Sequence, residues 1–176
     1  MAPNPFRSDD IIVSQVTNAL DYALQQAEET YTHSKKISKQ EWITGILLTE
    51  LHDKGKNLGY DVPYITENAN VGWLYDLIWK GISPNDDPPL VVECNLGTDF
   101  RDIRNDFEKM LMARAELRLL ITYGGENQKD CETALENVSK LKNLIPYQPS
   151  SSPDHFLFAT IISDFSGGCV FRYDFV

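Results

Sequence analysis

A chain of 176 residues fits one domain and is long enough to bury a core without disulfide or metal staples. Apolar residues make up 42% and charged residues 24%, and no apolar run approaches the ~18 residues that span a bilayer, so no membrane partner is expected. The net charge of −10 excludes a broadly basic surface: a local basic strip sits in an acidic shell, or metal ions supply the positive charge, or nucleic acid is not the ligand.

Hydrophobic periodicity predicts a first helix over Asp9–Tyr31, on the spacing of Ile12, Val16, Leu20, Ala23, Ala27 and Tyr31. A second helix starts near Ser38, where Ser38 and Glu41 suit a capping box, and ends near Gly55 or Gly59. Its apolar stripe is Ile43, Ile46, Leu47 and Leu51. Three strands follow: Tyr60–Thr66, then Val71–Lys80, then Leu90–Asn95. In the second, Val71, Trp73, Tyr75, Leu77 and Trp79 alternate onto one face, with Leu74, Asp76 and Ile78 on the other. A helix over Phe100–Ala115 turns Ile103, Phe107, Met110 and Leu111 inward. Leu117–Tyr123 is the next strand, Asn127–Leu144 a polar helix, and Phe156–Asp164 with Val170–Val176 a closing hairpin. The stretches from Ser83 to Pro89 and from Pro146 to Pro153 read as surface turns. The order α-α-β-β-β-α-β-α-β-β implies an α/β fold, a mixed central sheet flanked by helices on both faces.

The N-terminus, Met-Ala-Pro-Asn-Pro, does not read as a secretory signal. Cys94, Cys131 and Cys169 are widely spaced and odd in number, which suits free thiols in a reducing cytoplasm. The histidines at 33, 52 and 155 do not cluster with them, so zinc is not expected.

Acids in apolar settings carry the chemistry. Glu50 falls on the stripe of the second helix, Asp76 lies between Leu74 and Ile78, and Glu93 sits inside Leu90-Val91-Val92-Glu93-Cys94-Asn95. Each alone reads equally well as a functional carboxylate or as a plain one, at an element end facing solvent or in a structural ion pair. Together they belong to one contiguous α-β-β-β unit that brings them to one end of a sheet. Carboxylates with water and phosphate oxygens suit Mg²⁺ or Mn²⁺, and such an ion activates water for phosphodiester hydrolysis.

The helix acid, the strand Asp76 and the following Glu93-Cys94-Asn95 resemble the PD-(D/E)xK nuclease superfamily. The stretch Asp106-Phe107-Glu108-Lys109-Met110-Leu111-Met112-Ala113-Arg114-Ala115 looks like a helix of bacterial restriction-endonuclease-like proteins. The resemblance covers roughly Trp42–Tyr123. It implies a restriction-endonuclease-like domain over residues 1–176, with its core at about 38–123 and a helix and hairpin over 126–176. It further implies that Asp76 and Glu93 are the acidic metal ligands, that the Cys94 carbonyl is a further ligand, and that Glu50 is the auxiliary helix acid. Asn95 departs from the pattern, because it stands where the motif lysine belongs and supplies neither a cation nor a base. Lys109 is the residue that could take over, against a plain pairing with Asp106 or Asp102. Tyr75 replaces the proline that often precedes the strand acid.

Arg101, Arg104, Arg114 and Arg118 are the basic residues nearest this group, suited equally to phosphate contact or to salt bridges. Trp73 and Trp79 read as core in preference to base-stacking surfaces. Two functions follow. One is a metal-dependent nuclease acting on DNA, with Mg²⁺ or Mn²⁺ held by Glu50, Asp76 and Glu93 and water positioned by Asn95 and Lys109. The other is a catalytically silent member of the fold, serving protein binding or assembly with a second copy or another protein.

Overall fold

The computed structural model describes residues 8–31, 38–63, 75–81, 83, 86–125, 127–145, 155–163 and 168–176. The first apolar stripe forms α1 (Ser8–Thr30), which buries Ile12, Val16, Leu20, Ala23 and Ala27. The capping box forms as its residues predict: the Glu41 N–H donates to Ser38 Oγ at 3.1 Å and the Ser38 N–H donates to the Glu41 carboxylate at 2.7 Å. It opens α2 (Lys39–Asn57), with Ile43, Leu47 and Leu51 buried. No helix among the described residues is long and apolar enough to cross a membrane.

The remaining elements are β1 (Leu77–Trp79), β2 (Leu90–Asn95), α3 (Phe100–Leu111), β3 (Leu117–Tyr123), α4 (Gln128–Lys142), β4 (His155–Ser163) and β5 (Cys169–Phe175). The strands lie in the order β1-β2-β3-β4-β5. β2, β3 and β4 are parallel, while the edge strands β1 and β5 run antiparallel to their neighbours. Alternation within each strand divides the core in two. Leu77, Trp79, Val92, Leu119, Ile121, Leu157 and Ala159 pack under α1 and α2. Leu120, Phe156 and Phe158 pack under α3 and α4 against Ile103, Phe107, Met110, Val138 and Leu141. The architecture is therefore the expected mixed α/β sheet with helices on both faces. The crossovers through α3 and α4 place both helices on one side, as two successive crossovers of the same hand require.

The N-terminal side of the sheet departs from the sequence reading. Of the strand expected over Tyr60–Thr66, the described part makes one isolated antiparallel bridge, Asp61 to Lys80. Residues 64–66, residues 71–74 with Trp73, the loop from Pro146 to Pro153 and the hairpin turn at 165–167 lie outside the described residues. The strand expected up to Lys80 is described only as the short β1, and its alternation breaks at Asp76. Leu77 and Trp79 face α2, yet Tyr75 packs with Ile78, Val91, Ala113 and Ala115 on the other side. At the break the Asp76 N–H donates to Val92 O at 3.1 Å and the Asp76 carboxylate accepts the Cys94 N–H at 2.7 Å. A side chain closes the ladder where backbone would have continued it, so Asp76 ends the pairing instead of lying mid-strand.

Trp79 is a core residue, as expected. It is fully buried, donates from Nε1 to Leu51 O at 3.0 Å and stacks on Tyr60 at 5.3 Å. Gly55 makes room for it: a Cβ there would lie 2.5 Å from Trp79 Nε1.

Candidate functional site

β2 carries alternating side chains to opposite faces at its C-terminal end. Cys94 points toward α2, where its Sγ lies 3.9 Å from Thr44 Oγ1. Glu93 and Asn95 point toward α3. From α3, Asp106 and Lys109 stand one turn apart and reach back to the strand.

The contacts form a chain. Lys109 Nζ lies 2.9 Å from Glu93 Oε1 and 2.8 Å from Asp106 Oδ1. Asp106 Oδ2 accepts from Asn95 Nδ2 at 2.6 Å, and Asn95 Oδ1 accepts the Gly97 N–H at 3.0 Å. Tyr75 closes the flank, its hydroxyl donating to Lys109 O at 3.4 Å. Asp76 joins through electrostatics, since Lys109 and Asp106 both act on its carboxylate. Lys109 thus bridges two carboxylates and acts through space on the third.

Burial decides how these groups titrate. Glu93 is 3% exposed. Loss of hydration pushes its carboxyl up to about 7; the Lys109 hydrogen bond opposes this and the charges of Asp76 and Asp106 add to it. Burial also raises Asp76, against the pull of the Cys94 N–H and Lys109. For Lys109, burial works to lower the pKa, but its bonds to Asp106 and Glu93 outweigh it and the ammonium is held on. Tyr75 is raised by burial and by Glu93. Burial pushes the Cys94 thiol up to about 12.

Of the residues singled out from sequence, Asp76, Glu93, Asn95 and Lys109 come together. Cys94 joins through its backbone. In a strand, the N–H and C=O of one residue point the same way. Because the Cys94 N–H meets Asp76, its carbonyl is directed to the same side, past the end of β1. Glu50 is half-buried on α2, whose inner side chains pack on the opposite face of the sheet from Glu93. Lys109 and Asp106 act on both Asp76 and Glu93, Asp76 acts on Glu93 as well, and Glu50 is not among these charges.

Asn95 has both ends of its amide engaged, so its first task is to tie β2 to α3. Lys109 is not a solvated helix residue. It does pair with Asp106, as a helix neighbour would, but it also reaches Glu93. Asp106 entered the sequence reading only as a pairing partner for Lys109 and not as a member of the site. Its spacing from Ile103 and Met110 could have marked it as bordering the buried stripe.

The expected sources of phosphate affinity divide. Arg118 is 2% exposed, its guanidinium donating to Ala113 O from both Nε and Nη2 and lying 5.1 Å from the Phe156 ring centroid. It is a core residue and cannot meet a ligand. Arg104 pairs with Glu108 at 2.7 Å, and Arg101 and Arg114 are exposed.

Among the described residues, no group of three or more Asp, Glu, His or Cys side chains is spaced to hold a metal ion. Mg²⁺ commonly takes one or two carboxylates and completes its shell with water and phosphate. Asp76, Glu93 and the Cys94 carbonyl are hard oxygen donors of that kind, and the raised Asp76 and Glu93 carry an electrostatic cost that a cation would relieve. The donor chemistry therefore fits.

No protein-family model, no curated protein and no solved structure matches the chain.

Proposed function

We propose that the chain is a metal-dependent phosphodiesterase of the PD-(D/E)xK type, cleaving nucleic acid, with Lys109 serving in place of the motif lysine that Asn95 does not supply. One observation carries this reading: Lys109 Nζ, from a separate element, stands 2.9 Å from the Glu93 carboxylate. The order α2-β1-β2-α3-β3 supports it, with the Asp61–Lys80 bridge where a first strand is expected. Asp76, Glu93 and the Cys94 carbonyl would hold Mg²⁺ or Mn²⁺; the bound ion would supply Lewis acidity and an acidified water.

The rest is the work of this chain's own groups. Glu93 is held beside the Lys109 ammonium, which keeps its carboxylate in place to serve as a ligand. Lys109, 35% exposed at its side chain, can turn its ammonium toward a phosphate oxygen while Asp106 steadies it. Asn95 is a positioning residue that fixes Asp106. Tyr75 fixes the α3 backbone at Lys109.

The silent-fold reading has its own observation. Asp106 binds both Lys109 and Asn95, as a structural network would, on a chain whose net charge is −10. The deciding experiment incubates plasmid and single-stranded DNA with Mg²⁺ or Mn²⁺ and wild type, D76N, E93Q, K109M or K109R. Calorimetric titration with Mn²⁺ runs alongside. The nuclease reading expects cleavage by wild type, loss of Mn²⁺ binding in D76N and E93Q, and loss of cleavage but not of binding in K109M. A wild type that binds no Mn²⁺ and cuts neither substrate supports the silent fold.

A further inference from the structure

β5 forms the outer edge of the sheet, and its outward-facing groups can be read from its hydrogen bonds. Phe156 and Val176 exchange reciprocal backbone bonds, each 2.9 Å. They are therefore a hydrogen-bonded antiparallel pair, and such pairs recur at every second residue. Val170, Arg172 and Asp174 accordingly direct their N–H and C=O inward to β4. Phe171, Tyr173 and Phe175 direct theirs away from the sheet, and among the described residues β5 has β4 as its one strand neighbour.

Protein edges are usually blunted by proline, inward lysine, bulges or shortness. β5 has no proline, no lysine and no bulge; its charged side chains are Arg172 and Asp174. It is Cys-Val-Phe-Arg-Tyr-Asp-Phe, seven residues in unbroken register with β4. Tyr173 anchors it to α1 by donating to Asp21 at 2.8 Å, and Lys142 of α4 holds Asp174 at 2.9 Å. The edge is extended and apolar at its ends, with Val170 42%, Phe175 48% and Val176 40% exposed.

We propose that β5 pairs antiparallel with β5 of a second copy of this chain, about a two-fold axis at Tyr173, joining the two sheets into one. The occupant follows from the sequence of the edge itself. Centred on Tyr173, the outward backbone groups of Tyr173 meet the partner's Tyr173, and those of Phe171 meet the partner's Phe175. Arg172 then falls opposite the partner's Asp174 in a non-hydrogen-bonded pair, where side chains approach most closely. Val170 falls opposite the partner's Val176. Symmetry forms each such contact twice. A register centred on Arg172 sets arginine against arginine, and one centred on Asp174 sets aspartate against aspartate. Charge therefore selects one register of those the backbone allows.

The test is sedimentation equilibrium of the full chain over a wide concentration range. Wild type is expected to dimerise. R172E converts two attractive cross-strand pairs to repulsive ones and should weaken association roughly tenfold or more. D174R should do the same, and an equimolar mixture of the two variants should associate again, because each acid then faces an arginine. Asp174 also binds Lys142, so a misfolded D174R leaves R172E and amide exchange to decide. Protection of the Phe171, Tyr173 and Phe175 amides should rise with protein concentration, while Arg172 and Asp174 stay protected throughout. A wild type that is monomeric up to near-millimolar concentration overturns the proposal. So does a dimer indifferent to R172E, or protection of the three outward amides that does not change with concentration.

Discussion

Replacing Glu93 by Gln tests whether burial sets the behaviour of the site. Glu93 titrates at about 7 in the folded chain against an ordinary 4.5. A carboxyl raised by folding favours the fold in its protonated form. Its contribution is fully present below pH 4.5, falls as pH rises through the folded value, and is gone above it. The gap corresponds to about 3 kcal/mol, or roughly 6–12 °C in melting temperature for a domain of this size. Asp76, also raised, adds a loss of the same sign beginning nearer its ordinary 3.8. Gln keeps the shape of the protonated acid and never ionises, and Lys109 retains Asp106. Urea unfolding at pH 5, 6, 7 and 8 should therefore show wild type losing stability across the range. E93Q should lose much less and be the more stable protein at pH 8. At pH 8, millimolar Mn²⁺ should recover stability in wild type and not in E93Q. A wild-type curve no steeper than that of E93Q, or an E93Q that is the weaker at pH 8, would refute the reasoning.

Removing Lys109 as K109M takes away the bond that holds Glu93 down, so carboxyl NMR should find Glu93 titrating above about 7; a lower value would contradict the ion pair. G55A should gain about 1 kcal/mol of helix propensity yet lose more to the clash with Trp79, whose Nε1 would be 2.5 Å from the new Cβ. Chemical denaturation would show net destabilisation, and a more stable variant would mean that the Trp79 ring has room to move. S38A should cost about 1 kcal/mol in the same assay by removing the cap of α2.

The legible parts of the sequence are those governed by period and by local chemistry. The stripe of α1, the capping box at Ser38 and the buried run of β2 need only near neighbours to be recognised. The alternation expected through Tyr75 fails because Asp76 exchanges a ladder position for a side-chain bond to the Cys94 N–H, a partner 18 residues away. Arg118 read equally well as a phosphate contact or as a salt-bridge residue. The strand that carries it is buried on both faces, a property of the sheet order and not of the local text. Glu50 shows the converse, since an acid on an apolar stripe is conspicuous in sequence, yet helix packing decides which face of the sheet it serves.

The meeting of Lys109 with Glu93 was the least legible part, because it depends on how α3 crosses β2. Asp106 supplies the reason that the arrangement is stable. One carboxylate holds the Asn95 amide on the strand and the Lys109 ammonium on the helix, so the positions of strand and helix are fixed relative to each other at this point. A lysine at position 95 would place a second ammonium beside the first, both competing for Asp106. Asparagine supplies the tie without the charge, leaving the single ammonium where it faces Glu93. The lysine on α3 thus brings a cation to the buried acid from the helix, and Asn95 on the strand holds that helix in place through Asp106.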